Sequence, residues 1–270
     1  MAVEWLSILE ACSQRIRGRV LELFGSAEAQ VALGVGAGGD IMKRIDAVAE
    51  EAMIKTLRDH GVSCTLISEE TGIRKIGSKP SEFYVVADPV DGTTNAVRGL
   101  PFMATSLAVS SAPHLRDVKV ALVTDLFHGV TYTAKRGGGA LKDGNRIAPS
   151  SVSLLEEAVV GVDFNSFKGE KLAALFASLV GRVRHLRHLG ANALEMCYVA
   201  DGTTDAFIDL RDRLRVTDAA AAHLILKEAG GLMLAPEGLE ADAPLSPTQR
   251  ISFIAAANTQ IYEKIAQILR

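Results

Sequence analysis

The run FYVVADPVDGTTN, from Phe83 to Asn95, constrains the fold more than any other part of the chain. Its apolar and aromatic start, Phe83 to Ala87, reads as a strand buried within a sheet. Asp88 follows directly, and Pro89 has no N–H for a ladder, so the strand is expected to stop there. Asp88 and Asp91 then emerge at a strand's end, where layered α/β folds commonly place ligand sites. Gly92 permits a sharp turn and close backbone approach to an anion. Thr93 and Thr94 add hydroxyls, and a helix starting near Asn95 would aim N–H groups at a phosphate.

The surroundings predict what this strand belongs to. Leu6, Leu9, Ile16, Val20 and Phe24 recur at helical spacing, and a glycine-rich break, GVGAGGD, follows. IDAVAEEAMIKTLRDHG then reads as a helix closed by Gly61. The runs CTLI, ATSLAVS, VKVALVTD and GVTYTAK read as strands, with hairpin signals at KRGGGA and KDGN, so this stretch is expected to be antiparallel sheet. After residue 150 strands and helices alternate: EEAVVGVDF, VRHLRHL, TDAFIDL and FIAAA against GEKLAALFASLVG, GANALEMCYVADG, TDAAAAHLILKEAGG and the last stretch of the chain. Such alternation predicts sheet covered by helices. The expectation is an α/β protein whose halves, residues 1–150 and 151–270, join tightly as one unit. APEGLEADAPLSPTQR is expected to be an exposed loop.

A second segment, VADGTTDA from Val199 to Ala206, repeats the composition of VADPVDGTTNA without its setting. It ends a helix-forming stretch, and Gly202 falls where a left-handed residue closes a helix. Asp201 and the two threonines can solvate the turn, so turn chemistry accounts for it.

The first segment has acidic company. TLISEETG puts Glu69 and Glu70 at the end of another short apolar run, Asp46 opens a helix, and Asp218 opens TDAAAAHLILKEAGG. Helix N-capping is a sufficient reading of Asp46 or Asp218 alone. Together, several carboxylates at element ends, without histidine or thiolate, form an oxygen-only donor set suited to hard cations such as Mg²⁺ or Mn²⁺. Cys12, Cys64 and Cys197 make no CxxC or Cys/His pair and the histidines no HExxH, which argues against a disulfide frame or zinc site. The net charge of −3 provides no field for nucleic acid or an anionic membrane. With no leader peptide and no apolar run of about 18–20 residues, a cytoplasmic, non-membrane protein is expected.

ISEETG, DPVDGTTN and TDAAAAHLILKEAGG resemble, in order and spacing, the three signatures of the inositol monophosphatase family, the second being highly specific as D-P-x-D-G-T-x-N. The resemblance covers nearly the whole chain. KRID at Lys43 to Asp46, ISEETG and ALEMCYVA make it closest to the archaeal branch that hydrolyses both inositol 1-phosphate and fructose 1,6-bisphosphate. It implies a five-layered αβαβα sandwich, a homodimer, a small phosphate-ester substrate, and a Mg²⁺-dependent, lithium-sensitive phosphomonoesterase with two or three metals. Glu69, Asp88, Asp91, Asp218 and the carbonyl of Val90 would then hold the metals, with Asp91 bridging two. Thr93, paired with Asp46 and assisted by Glu69, would orient and help deprotonate the attacking water. The N–H groups of Gly92, Thr93 and Thr94, beside Asp91, would grip the phosphate. Two departures, Thr217 where the family commonly has tryptophan and DIMKRID where it commonly has D-x-V-T-x-x-D, spare the metal ligands and bear on the substrate pocket.

On the substrate side, Arg187, Asn192 and Arg211 are expected to face a sugar or its second phosphate, since guanidinium suits bidentate phosphate contact. Alternation puts Arg187 on one strand face with His185 and opposite Arg184, so the two arginines should not reach one ligand. Three alternatives stand beside this reading: a 3′-phosphonucleotide phosphatase, a non-catalytic metal-binding dimeric scaffold, and a phosphatase with an aspartyl nucleophile. The last fits poorly, because two residues separate Asp88 from Asp91 where that class has one.

Overall fold

The computed structural model describes residues 3–80, 82–164 and 170–269. Helices α1 (Trp5–Leu23) and α2 (Arg44–Asp59) flank a small hairpin of β1 (Ala32–Val35) and β2 (Ile41–Lys43). An eight-stranded sheet follows, made of β3 (Cys64–Ser68), β4 (Gly72–Ile76), β5 (Tyr84–Asp91), β6 (Ala104–Ser110), β7 (Val118–Asp125), β8 (Thr131–Lys135), β9 (Gly139–Lys142) and β10 (Asn145–Arg146). Its spatial order is β10-β9-β8-β7-β6-β5-β3-β4, antiparallel except between β3 and β5. The short helix α3 (Thr93–Arg98) leaves the end of β5. The rest of the chain builds a five-stranded sheet from β11 (Val159–Asp163), β12 (His185–Arg187), β13 (Ala206–Arg215), β14 (Leu232–Leu234) and β15 (Arg250–Ala256), in the order β12-β11-β13-β15-β14. Helices α4 (Glu170–Val180), α5 (Asn192–Ala200), α6 (Val216–Ala229) and α7 (Thr259–Leu269) complete it.

Strand alternation sorts the apolar side chains into three cores, and the cores define the layers. Val85 packs with Leu9 and Ile16 of α1 and Met53 of α2, whereas Val86 faces the other way onto α5 and α6. Phe207 of β13 joins that same middle core, and its neighbour Ile208 packs outward with Ile261 and Ile265 of α7. The order is therefore α1/α2, large sheet, α5/α6, small sheet, α4/α7: an αβαβα sandwich. The run Ala219–Ala222 of α6 is fully buried. Small side chains there let a helix fit between two sheets.

Four expectations change. GVGAGGD is the hairpin β1–β2 and its turn, not a plain break; its glycines hid two short, exposed strands. Pro89 does not stop β5, because it sits in a bulge: β5 has one residue more than β6 between the pairs Asp88–Ser106 and Asp91–Ala104. A bulge tolerates a residue without a ladder N–H and bends the strand. The helix after it starts at Thr93, on left-handed Gly92, two residues earlier than expected. The stretch from Ala235 to Arg250 is pinned: Ala243 and Leu245 are buried, and their backbones bond to Leu115 and Pro113.

The second aspartate–glycine–threonine segment ends α5 as anticipated, with Gly202 left-handed. Asp201 Oδ1 accepts from the turn's Thr203 N–H (3.0 Å), and its Oδ2 also accepts from Tyr132 Oη (2.9 Å) and Lys142 Nζ (2.7 Å), two partners the sequence did not disclose.

One side chain of the first segment ties the two sheets' halves together. Asn95 is buried, and its Nδ2 donates to the carbonyls of Phe102 and Leu189, both at 2.7 Å. Removing it leaves two carbonyls without that donor, at about 1–3 kcal/mol each where water cannot enter. Asn95→Ala is expected to lower unfolding stability by about 2–4 kcal/mol, read from the urea midpoint. An unchanged midpoint would refute this role.

Candidate active site

The ends of β3 and β5 and the N-termini of α2, α3, α5 and α6 meet at one open cleft of about 1020 Å³. Carboxylate oxygens of Glu69, Asp88 and Asp218 lie within 4.8 Å of one another there. Each is held by its own local structure. Asp88 Oδ1 accepts from Val90 N–H (3.0 Å) across the bulge. Asp218, in the first turn of α6, accepts from Thr217 Oγ1 (2.9 Å) and the Arg215 N–H (3.4 Å). Glu69 sits in the β3–β4 turn. That turn is fixed from below by buried Glu50, which accepts from Ser68 (2.6 Å) and Thr71 (2.5 Å).

Asp91 and Asp46 flank this group. Both oxygens of Asp91 point at the start of α5, accepting from Asn192 N–H (3.1 Å) and Ala193 N–H (2.6 Å). Asp46 Oδ2 accepts from Lys43 N–H (2.8 Å), reaching back over the first turn of α2. Its Oδ1 lies 2.8 Å from Thr93 Oγ1, which is also 3.0 Å from the Val90 carbonyl. Gly92 (φ +88°) makes this packing feasible: a Cβ there would come within 3.1–3.2 Å of Ala191 Cβ and the carbonyls of Gly190 and Phe102.

Concentrating these acids out of water raises their pKa values. Burial, then Asp218, push Glu69 well above its ordinary value, and burial, then Glu69, do the same to Asp88. Asp91 is raised to about 7 by burial and Asp218, against the two N–H groups that favour its ionised form. Burial also raises Asp218 and Asp46. Glu70, which lines the cleft, reaches about 8 through burial and the neighbouring Asp46.

Sequence reasoning missed several contributors. Arg215 ion-pairs with Glu69 (2.8 Å) and with Asp40 at the hairpin tip, while Arg250 donates to the Gly38 carbonyl (2.6 Å). Glu50 was readable as the residue one helical turn after Asp46, on the same face. Arg215 lies three before Asp218, the spacing of a helix's first turn. Asn192 and Arg211 do line the cleft. Arg211 is nearly buried and committed to Asp163 (2.8 Å) and Asp209 (2.6 Å). Arg187 is not among the described residues lining the cleft; it is exposed on the edge strand β12 and donates to its neighbour Leu186 carbonyl. His188, one residue on, lines the cleft instead.

The chain matches the inositol monophosphatase family from residue 3 to residue 270. It belongs to that family. The chain is 36% identical to the fructose-1,6-bisphosphatase/inositol-1-monophosphatase of Methanothermobacter thermautotrophicus, over 98% of this chain and 96% of that one. It is 33% identical to the bifunctional NADP phosphatase/NAD kinase of Methanococcus maripaludis, over 94% of this chain and 47% of that protein. A solved inositol monophosphatase–fructose 1,6-bisphosphatase has the same fold, with a TM-score of 0.88 at 30% identity over 99% of this chain and 100% of that one. Among the described residues no helix is long and apolar enough to cross a membrane.

The inositol monophosphatase family is metal-dependent, and the donor set here fits that chemistry. Its side-chain donors are carboxylate oxygens, they converge, and one guanidinium does not neutralise them. Hard divalent cations are the complement of such a site.

The raised pKa values set a sign for stability without metal. Above about pH 4, where unfolded carboxylates lose their protons, the folded chain holds protons that the unfolded chain has released. Stability therefore falls as pH rises, up to about 7 for Asp91 and about 8 for Glu70. Metal-free protein is expected to melt at lower temperature at pH 7.5 than at pH 5.5, and millimolar Mg²⁺ should raise the midpoint more at the higher pH. Calorimetric melting at the two pH values tests this. A metal-free midpoint that climbs with pH would contradict the electrostatics described.

Proposed function

We propose that the chain is a Mg²⁺-dependent phosphomonoesterase that hydrolyses fructose 1,6-bisphosphate and inositol 1-phosphate with water as nucleophile and no phosphoenzyme. The observation that carries this reading is the convergence of Glu69, Asp88 and Asp218 within 4.8 Å, beside the hydrogen-bonded pair Thr93–Asp46. Glu69, Asp88, Asp91, Asp218 and the Val90 carbonyl would hold the cations. Bound there, divalent ions would lower the pKa of water and neutralise developing charge on the phosphate.

The chain's own groups do the rest. A Thr93 hydroxyl that donates to Asp46 turns its lone pairs toward the cleft, so it can accept a proton from water and pass its own to Asp46. Burial favours the protonated form of Asp46, which suits it to receive that proton. Glu69 supports the same water from the other side. N–H groups of Gly92, Thr93 and Thr94 at the start of α3 bind phosphate oxygens. Asn192 and Arg211 shape the far wall, with Arg211 acting through its pairing to Asp163 and Asp209. Positioning and charge stabilisation suffice for phosphoryl transfer, so no nucleophilic side chain is required. Family membership supports a homodimeric, cytoplasmic enzyme.

Phosphate release should be Mg²⁺-dependent across a panel of fructose 1,6-bisphosphate, inositol 1-phosphate, a 3′-phosphonucleotide and NADP⁺, the last included because of the relative named above. Thr93→Ala is expected to lower kcat by about 10²–10⁴-fold, and Asp91→Asn to abolish turnover. Near-normal rates in Asp91→Asn would remove the metal assignment, and Mg²⁺ binding without hydrolysis of any ester would favour a scaffold.

A further inference from the structure

Strand β13 breaks register at the cleft. Between its pairs with β15, Asp209–Phe253 and Leu214–Ile251, it carries three more residues than its partner. The excursion is a built feature. The Asp209 carboxylate accepts both the backbone N–H (3.0 Å) and the guanidinium of Arg211. Asp212 adopts φ +54° and donates its N–H to Ser252 Oγ (2.9 Å). Bulges of this kind re-aim side chains next to active sites. Here the displaced, exposed residue is Arg213, which lines the same cleft as the carboxylates.

The other arginines of the cleft are already engaged. Arg211 is paired with Asp163 and Asp209, and Arg215 with Glu69 and Asp40. Arg250 donates to the Gly38 and Pro247 carbonyls. Lys43 is the residue before α2, and its backbone N–H bonds Asp46 Oδ2 (2.8 Å), which places it beside the Thr93–Asp46 pair. No ion pair is found for Arg213 among the described residues. An exposed guanidinium at the rim, in a cleft larger than one phosphate and its cations require, is matched to an anion carried some distance from the reacting group.

We propose that Arg213 determines specificity by binding the non-reacting phosphate of a bisphosphorylated sugar, so that bisphosphates are favoured over monophosphates. The inference rests on the phosphatase reading above. Arg211 acts as the post that holds the excursion, and Arg213 makes the contact. This differs from the sequence expectation, in which Arg187, Asn192 and Arg211 face the sugar or its second phosphate.

Steady-state kinetics of Arg213→Ala and Arg213→Lys with Mg²⁺ test it. For fructose 1,6-bisphosphate, Arg213→Ala is expected to lose about tenfold in kcat/KM, the scale of one hydrogen bond to a charged group, mostly through KM. Inositol 1-phosphate should change by less than about twofold, and Arg213→Lys should recover part of the loss. Equal losses on both esters, or none on the bisphosphate, would overturn the proposal. If the unmodified protein hydrolyses neither ester, the phosphatase reading fails by itself. Calorimetric titration with fructose 1,6-bisphosphate and fructose 6-phosphate then decides the role of Arg213: a loss of affinity confined to the bisphosphate in Arg213→Ala supports it, and equal affinities reject it.

Discussion

The structure is organised around the electrostatic cost of gathering five carboxylates, Asp46, Glu69, Asp88, Asp91 and Asp218, away from water. Ionised acids this close repel one another and have lost hydration, so each needs donors from the chain. Four helices begin at the cluster. Asp46 lies in the first turn of α2 and Asp218 in that of α6, Asp91 receives the first N–H groups of α5, and Thr93 is the first residue of α3. The partial positive charge at helix N-termini is thereby focused on one point. Arg215 adds a full charge against Glu69. The remaining deficit, expressed in the raised pKa values, is what divalent cations would meet.

This arrangement reconciles two readings of Asp46 and Asp218 that compete in the sequence. Each caps its helix, since its carboxylate accepts the N–H that precedes the first turn, and each also lines the cleft. Capping fixes the rotamer, so the carboxylate is already aimed before any ligand arrives. The αβαβα layering makes this convergence available. α6 is sandwiched between the two sheets, and its alanines let both sheets come close enough for Asp218 to reach the ends of β3 and β5.

Irregular backbone carries the remaining precision. In β5 a bulge at Pro89 separates Asp88 from Asp91, so that one faces the carboxylate group and the other faces α5. In β13 a longer excursion puts Arg213 on the rim while Arg211 stays inside. Sequence periodicity reads regular strands well, because buried apolar residues alternate. It reads bulges poorly, because the missing ladder partner lies on another strand. Pro89 therefore looked like a terminator, and the glycine run before Asp40 looked like a break when it is a hairpin turn. Placing the strands separates Arg187 from Arg213: Arg187 is exposed on the edge strand β12 and does not line the cleft, whereas Arg213 on the central strand β13 does.

Apart from the glycine-masked hairpin β1–β2, the sequence by itself determined the main element types, the acidic side chains and the turn on Gly92, because each depends on local rules: periodicity, capping and backbone sterics. It also determined the family, through three ordered signatures. Only the tertiary structure decided that residues 46, 69, 88, 91 and 218 share one small volume, which arginines are engaged with acids, and which one remains exposed at the rim. Those outcomes depend on strand register and layer packing between distant segments, and a carboxylate's or guanidinium's environment is set by such neighbours and not by its position along the chain.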